Sequence, residues 1–185
     1  MVICIDCDNV LGNLQETIVK LFNERYGTSY SLNTFAKYNV SECLPKEHAI
    51  KMIAMFSEPG IYDNVKPLAD AQNTIQKLIR AGHEVYIVTY SYPSIFEEKS
   101  NWIKYHFSAI DDAHIIAMKH KWLFRCDIMI EDNMDNLLNG HHYERIVIDY
   151  PWNQVRDEVY SIHRAFNWND VSDAVKKISK VWSDV

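Results

Sequence analysis

Val2-Ile3-Cys4-Ile5 is a short apolar run with no polar break, and it stops abruptly at Asp6-Cys7-Asp8-Asn9. Such a run suits a strand buried on both faces, and strands of that kind belong to parallel sheets covered by helices. The pattern recurs along the chain. Glu84 to Val88 runs into Thr89, Cys126 to Ile130 ends at Glu131-Asp132, and Arg145 to Ile148 ends near Asp149, with a shorter strand expected at Ala113 to Ala117. Helical patterns separate them. Ile18, Leu21 and Phe22 recur at helical spacing between Leu14 and Tyr26, and Gly27 is a plausible stop. Lys66-Pro67 leads into a helix that ends near Ala81-Gly82, another helix is expected around Phe96 to His106, and Asp170 to Val181 closes the chain. This alternation implies an α/β fold, a Rossmann-like parallel sheet flanked by helices.

The stretch from residue 28 to residue 62 interrupts the alternation. It carries Tyr30, Phe35, Tyr38, Met52, Met55 and Phe56, shows a helical pattern from Glu47 to Phe56, and breaks at Pro59-Gly60. It reads as a small helical cap inserted after the first strand and helix, so the core comprises residues 1–27 and 63–185. A chain of 185 residues has room for one such core and a small insertion. Its net charge of -6 argues against a general binder of nucleic acid or anionic membrane, although one locally positive pocket suffices for a small phosphorylated substrate. The four cysteines, Cys4, Cys7, Cys43 and Cys126, read as reduced residues in or near a core rather than as a metal set. Two acids arrive by position eight, which does not suit a signal peptide, and no apolar run approaches about 20 residues, so a cytoplasmic protein is expected.

In open parallel sheets ligands bind at the carboxyl edge of the strands. Three strands here end in groups that phosphoryl transfer needs: Asp6 and Asp8, then Thr89, then Glu131 and Asp132, with the lysine-rich Lys119-His120-Lys121 ahead of the last. A phosphate monoester is dianionic and repels a nucleophile, so positive charge must come before attack. Asp6 and Asp132 can offer Mg²⁺ hard oxygen ligands, with the Asp8 carbonyl as a third. Asp6 then serves as nucleophile and Asp8 as general acid and base. Thr89 can donate to a phosphate oxygen, and Lys121 is a mobile point charge suited to phosphate and to the nucleophilic carboxylate.

In that order, these features resemble the four motifs of the haloacid dehalogenase superfamily: Asp6 to Val10, Val88-Thr89, Lys121 and Glu131-Asp132. The spacing of Lys121, Asp127 and Glu131-Asp132 is similar to that of the cytosolic and mitochondrial 5'(3')-deoxyribonucleotidases. So are Glu58 to Tyr62 placed just before Val65-Lys66-Pro67-Leu68, and the late Asn167-Trp168-Asn169-Asp170. The resemblance covers nearly the whole chain. It implies a Mg²⁺-dependent phosphatase that takes deoxyribonucleoside monophosphates through an aspartyl-phosphate, with Tyr90 beside Thr89 and Lys121 at the phosphate. It favours Lys121 over its neighbour Lys119, and a homodimer is a possible assembly. Three positions depart from the family pattern: Asn9 stands where glycine is frequent, Glu131 where an aspartate is frequent, and Tyr90 where a small residue is usual.

Plainer readings stand beside these. Asp-x-Asp after a strand is commonly a turn or helix cap. Asp127, inside an apolar strand, needs a partner and takes either backbone or Lys121. His141-His142 reads as a solvated pair, and Asp149 to Asn153 either lines the pocket or forms a plain loop. Phe35, Tyr38 and Phe56 are candidates to stack on a base, against the alternative that they pack the insertion's own core. The rival functions are a phosphatase of another small phosphomonoester, such as a sugar phosphate, and a non-catalytic nucleotide-binding module.

Overall fold

A computed structural model describes residues 1–140, 143–154 and 160–183; the pair His141-His142 lies outside the described residues. Strands β1 (Val2–Ile5), β2 (Glu84–Thr89), β3 (Ile115–Ala117), β4 (Ile128–Glu131), β5 (Glu144–Ile148) and β6 (Ile162–Ala165) form one sheet in the order β3-β2-β1-β4-β5-β6. Every pairing in it is parallel. Among the described residues the helices are α1 (Leu14–Tyr26), α2 (Lys46–Met55), α3 (Ala71–Arg80), α4 (Phe96–His106), α5 (Met134–Asn139) and α6 (Trp168–Ser183). The expected α/β architecture is therefore present.

Strand alternation sorts the core into two layers. Ile3, Ile5, Ile87 and Ile130 pack with Ile18 and Phe22 of α1, Ile75 of α3 and Val171 of α6. Cys4, Val88, Met129 and Val147 pack on the other layer with Leu137 of α5 and Tyr143. Each large side chain removed from water in this way contributes about 1.5–3 kcal/mol. All four cysteines are free, and Cys4, Cys7 and Cys126 are buried. None of the helices is long and apolar enough to cross a membrane, among the described residues.

Strands β1, β2 and β3 build outward in one direction and β4, β5 and β6 in the other, so the order reverses between β1 and β4. The crevice at the carboxyl ends of those two strands is the place where a sheet of this order binds ligands. Asp6 follows β1 directly, and Glu131-Asp132 closes β4.

Two elements depart from the sequence pattern. Strand β6 was not anticipated, because its central His163 and Arg164 interrupt the apolar run, and Arg164 is spent on Asp149 at 2.7 Å. Strand β3 starts later than expected, since residues 112–114 form a 3-10 turn whose Ala113 amide donates to Asp111. The segment after α1 leaves through Gly27, which takes the left-handed conformation at a φ of 65°. Asn23 then clamps the exit, donating to the Tyr30 carbonyl at 2.8 Å and accepting from its amide at 2.9 Å. Three 3-10 turns and α2 follow, and Phe35, Met52 and Met55 join the main core. Arg25 grips Glu58 with two hydrogen bonds of 2.8 Å and ties α1 to the far end of that segment.

Candidate active site

The Asp6 amide extends the β1–β4 ladder by one bond to the Ile130 carbonyl, at 3.0 Å. The chain then turns sharply, with the Cys7 carbonyl accepting from the amides of Leu11 at 2.8 Å and Gly12 at 3.1 Å. Asn9 makes that turn with a φ of 59°. This left-handed geometry is what a glycine supplies, and asparagine is among the few other residues that tolerate it. Its side chain also acts: Nδ2 donates to Asp132 Oδ2 at 3.0 Å, while Oδ1 accepts from the Gln15 amide at 2.8 Å. The departure from glycine thus keeps the turn and adds a link between the ends of β1 and β4.

Lys121 sits in a 3-10 turn ahead of β4, and its buried Nζ lies 2.6 Å from Asp6 Oδ1 and 2.5 Å from Glu131 Oε1. Burial alone would lower the pKa of this ammonium, but Asp6 and Glu131 outweigh it and hold it above the usual lysine range. Glu131 is fully occupied. Its Oε1 also accepts from Asn136 Nδ2 at 2.8 Å, and its Oε2 accepts from the amides of Asp132 and Asn133 at 3.1 and 3.2 Å. Asp132 is almost completely buried, and burial together with the charges of Glu131 and Asp6 pushes its carboxyl well above the usual range.

Oxygens of Asp6, Glu131 and Asp132 all lie within 4.8 Å of one another. Three carboxylates meet here, and Lys121 is the cation paired with two of them among the described residues, an arrangement short of positive charge. Since the donors on Glu131 leave it nothing to offer, Asp6 and Asp132 are the two that keep an oxygen free of protein donors among the described residues. That donor set fits a hard divalent cation such as Mg²⁺.

Asp8 is held elsewhere. Lys99 Nζ donates to its Oδ2 at 2.7 Å, and the Tyr62 hydroxyl donates to its Oδ1. Lys99 is 2% exposed, and it also donates to the Tyr90 carbonyl at 2.6 Å and to Thr89 Oγ1 at 3.3 Å. Thr89 is wholly buried behind it, so at this strand end the cavity wall consists of Tyr90 and Ser91 instead. Lys99 was not singled out in the sequence, and Tyr62 entered only as the last residue of Glu58 to Tyr62, with no role given. A signal for Lys99 existed: it lies three and four residues before Trp102 and Ile103, on the buried face of α4.

A cavity of about 520 Å³ is lined by Asp6, Asp8 and Lys121, together with Phe35, Tyr38 and Phe56 from residues 28–62. Phe35 is 1% exposed and belongs to the core as well as the wall, whereas Tyr38 as a residue is 55% exposed, although its hydroxyl lies buried near Asn133 and the acidic cluster. Trp152, stacked on Tyr150 at 4.3 Å between centroids, lines the same space, so the loop after β5 contributes to the pocket. Asp127 takes the backbone option, its Oδ2 accepting from the Val2 amide at 2.7 Å, at the opposite end of the strands from Asp6.

Residues 1–181 match the family described as 5' nucleotidase, deoxy (pyrimidine), cytosolic type C protein. A 5'(3')-deoxyribonucleotidase of Clostridium acetobutylicum is 30% identical over 135 residues, covering 73% of this chain and 74% of its own. Among solved structures, a haloacid dehalogenase-like hydrolase of Streptococcus pneumoniae superposes with a TM-score of 0.66 at 15% identity, over 94% of this chain and 97% of its own. A haloacid dehalogenase family hydrolase of Deinococcus radiodurans, crystallised with phosphate and sodium, gives a TM-score of 0.62 at 14% identity and covers 96% of both chains. The two structural likenesses concern the fold.

Proposed function

The chain belongs to the cytosolic type C deoxy-5'-nucleotidase family of the haloacid dehalogenase superfamily, and on that footing we propose that it hydrolyses deoxyribonucleoside monophosphates through an aspartyl-phosphate on Asp6. The observation that carries this reading is the meeting of Asp6, Lys121 and Asp132 at the β1–β4 crevice, with Asp8 on the same cavity wall as Asp6. Asp6 and Asp132 would hold Mg²⁺, which supplies Lewis-acid neutralisation of the phosphate and of the attacking carboxylate.

The chain's own residues account for the rest. Lys121, fixed between Asp6 and Glu131, keeps the nucleophile oriented, and it offers the incoming dianion a positive charge. Glu131 positions Lys121 rather than touching a ligand. The carboxylate of Asp6 attacks phosphorus while Asp8 gives a proton to the leaving oxygen; Asp8 then takes a proton from the water that releases phosphate. Residues 28–62 act as the cap over this site, and Tyr38 with Phe56 offers ring surface to a base.

The purified protein with Mg²⁺ is expected to release inorganic phosphate from dUMP or dTMP, and Asp6→Asn is expected to reduce that release to background. Full turnover by Asp6→Asn contradicts the aspartyl mechanism. Equal rates on sugar phosphates and deoxynucleotides contradict the substrate assignment and leave the chemistry standing.

A further inference from the structure

Both carboxylate oxygens of Asp8 are taken, and their donors come from two separate parts of the chain. Lys99 is on α4, while Tyr62 lies in the 3-10 turn Ile61–Asp63 that ends the inserted segment. That turn is seated on α4. The amides of Gly60 and Tyr62 donate to the two oxygens of Glu98 at 2.8 and 2.6 Å. The Tyr62 ring packs against Trp102 at 5.9 Å between centroids, and the Lys99 ammonium stands 5.6 Å from the centre of the same ring. Glu98 therefore fixes the backbone of the turn, Trp102 and Lys99 face the ring, and the hydroxyl reaches Asp8. A phenylalanine there would keep the packing against Trp102 and Lys99, so what the hydroxyl adds is its bond to Asp8.

We propose that Tyr62 is a positioning residue that holds Asp8 in place for proton transfer, and that it does so from the segment joining the insertion to the core. The inference rests on the reading of Asp8 given above. In the first half of the reaction the bond from Asp6 oxygen to phosphorus forms and the ester P–O bond breaks, and the leaving alkoxide takes the Asp8 proton. In the second half the bond from water oxygen to phosphorus forms, the bond from Asp6 to phosphorus breaks, and Asp8 recovers a proton from that water. A carboxyl oxygen keeps a lone pair for a donor whether or not the group carries the proton bound for the leaving oxygen, so the Tyr62 hydroxyl can donate to Asp8 in both states. Tyr62 can thus stay bonded to Asp8 through both halves, with Lys99 anchoring the opposite oxygen.

The test is the leaving-group dependence of Tyr62→Phe. The ratio kcat/KM covers the steps up to loss of the leaving group, so it isolates the first half. A deoxynucleoside 5'-phosphate expels an alkoxide that needs the proton, whereas p-nitrophenyl phosphate expels a stable phenolate that does not. General acid catalysis is worth about 10²–10⁴-fold, so misplacing the acid should lower kcat/KM on the nucleotide by about 10- to 100-fold, with p-nitrophenyl phosphate changing by less than about 3-fold. An equal fall on both substrates, or no fall on either, overturns the proposal. Should Tyr62→Phe fail to fold, Glu98→Gln loosens the same turn with the phenol intact and is expected to show the same selective loss; a uniform loss, or none, overturns the proposal again. If the wild-type protein proves inactive on every nucleotide, the substrate reading fails by itself. Phenyl phosphate against p-nitrophenyl phosphate then still reports the contribution of Tyr62.

Discussion

Lys99 Nζ lies 2.7 Å from Asp8 Oδ2 and 3.3 Å from Thr89 Oγ1, so one buried ammonium joins the polar ends of β1 and β2. Removing it strips Asp8 Oδ2 of its donor, leaves Asp8 held by Tyr62 on Oδ1 alone, and leaves the Tyr90 carbonyl with only the longer 3.3 Å bond from Thr89. Breaking a buried ion pair by deleting one partner costs about 3–5 kcal/mol. Lys99→Met is therefore expected to lower stability by about that amount in urea unfolding. Turnover should also fall, because Asp8 is then held through one oxygen only. A stability change below about 1 kcal/mol would show that the pair contributes little net energy.

The strand ends were legible in the sequence because their signal is local: an apolar run followed at once by carboxylates or a threonine. The parallel sheet followed from the same alternation, whereas its strand order and the edge strand β6 did not. Lys99 stayed hidden because its neighbours Glu97 and Glu98 make Glu97-Glu98-Lys99-Ser100 read as a solvated face, although Lys99 shares the buried face with Trp102. Tyr62 stayed hidden for another reason. Its contact with Asp8 spans 54 positions, and nothing in a one-dimensional pattern states which turn will sit on which helix. Glu131 was recognisable as part of a motif, but its role depended on Asn136 and two amides that only the folded loop brings to it.

Glu131 and Asp132 are adjacent acids with opposite expected responses to amide substitution. Glu131 accepts four hydrogen bonds, so Glu131→Gln turns one acceptor into a donor facing donors and should destabilise the fold by about 1–3 kcal/mol. Asp132→Asn removes a crowded, buried charge and retains an oxygen for Asn9, so the metal-free protein should be as stable as the wild type or more so. Phosphatase activity and Mg²⁺ affinity should nevertheless collapse in Asp132→Asn. Thermal melts in EDTA, with Mg²⁺ titrations alongside, separate the two outcomes.

The same crowding sets a pH dependence. Burial and the charge of Asp6 push Glu131 up to about 7 from 4.5, and Asp132 is raised as well. Between those limits the metal-free fold binds more protons than the unfolded chain, so these groups make it less stable as pH rises. His83 and His106, lowered by burial, act in the opposite sense below their ordinary range. The informative quantity is therefore the shift in Tm that Mg²⁺ produces, because the cation favours the ionised carboxylates. That shift should be larger near about pH 8 than near about pH 5.5. Asp132→Asn should flatten the difference, and a shift independent of pH would remove the cation from this cluster.

Gly12 closes the loop that carries Asp8 and Asn9, its carbonyl accepting from the Asn9 amide at 2.7 Å. A Cβ at this position would stand 2.7 Å from Val65 Cγ1 and 2.8 Å from Trp102 Cη2. Neither neighbour can yield easily, since valine is stiff at χ1 and the Trp102 indole donates to the Val65 carbonyl at 3.0 Å. Overpacking of this kind costs about 1–3 kcal/mol, which for a chain of this size corresponds to a fall in Tm of about 2–12 °C. The strain also acts on the Asp8 loop at one end and on Trp102, which backs Tyr62, at the other. Gly12→Ala is therefore expected to lower kcat more than its loss of stability accounts for at a temperature where it remains folded. Substituting Trp102→Phe in the same protein removes the ring carbons that clash and should recover part of both losses. Additive damage in the double variant would show that the contact between Gly12 and Trp102 does not set the geometry of Asp8.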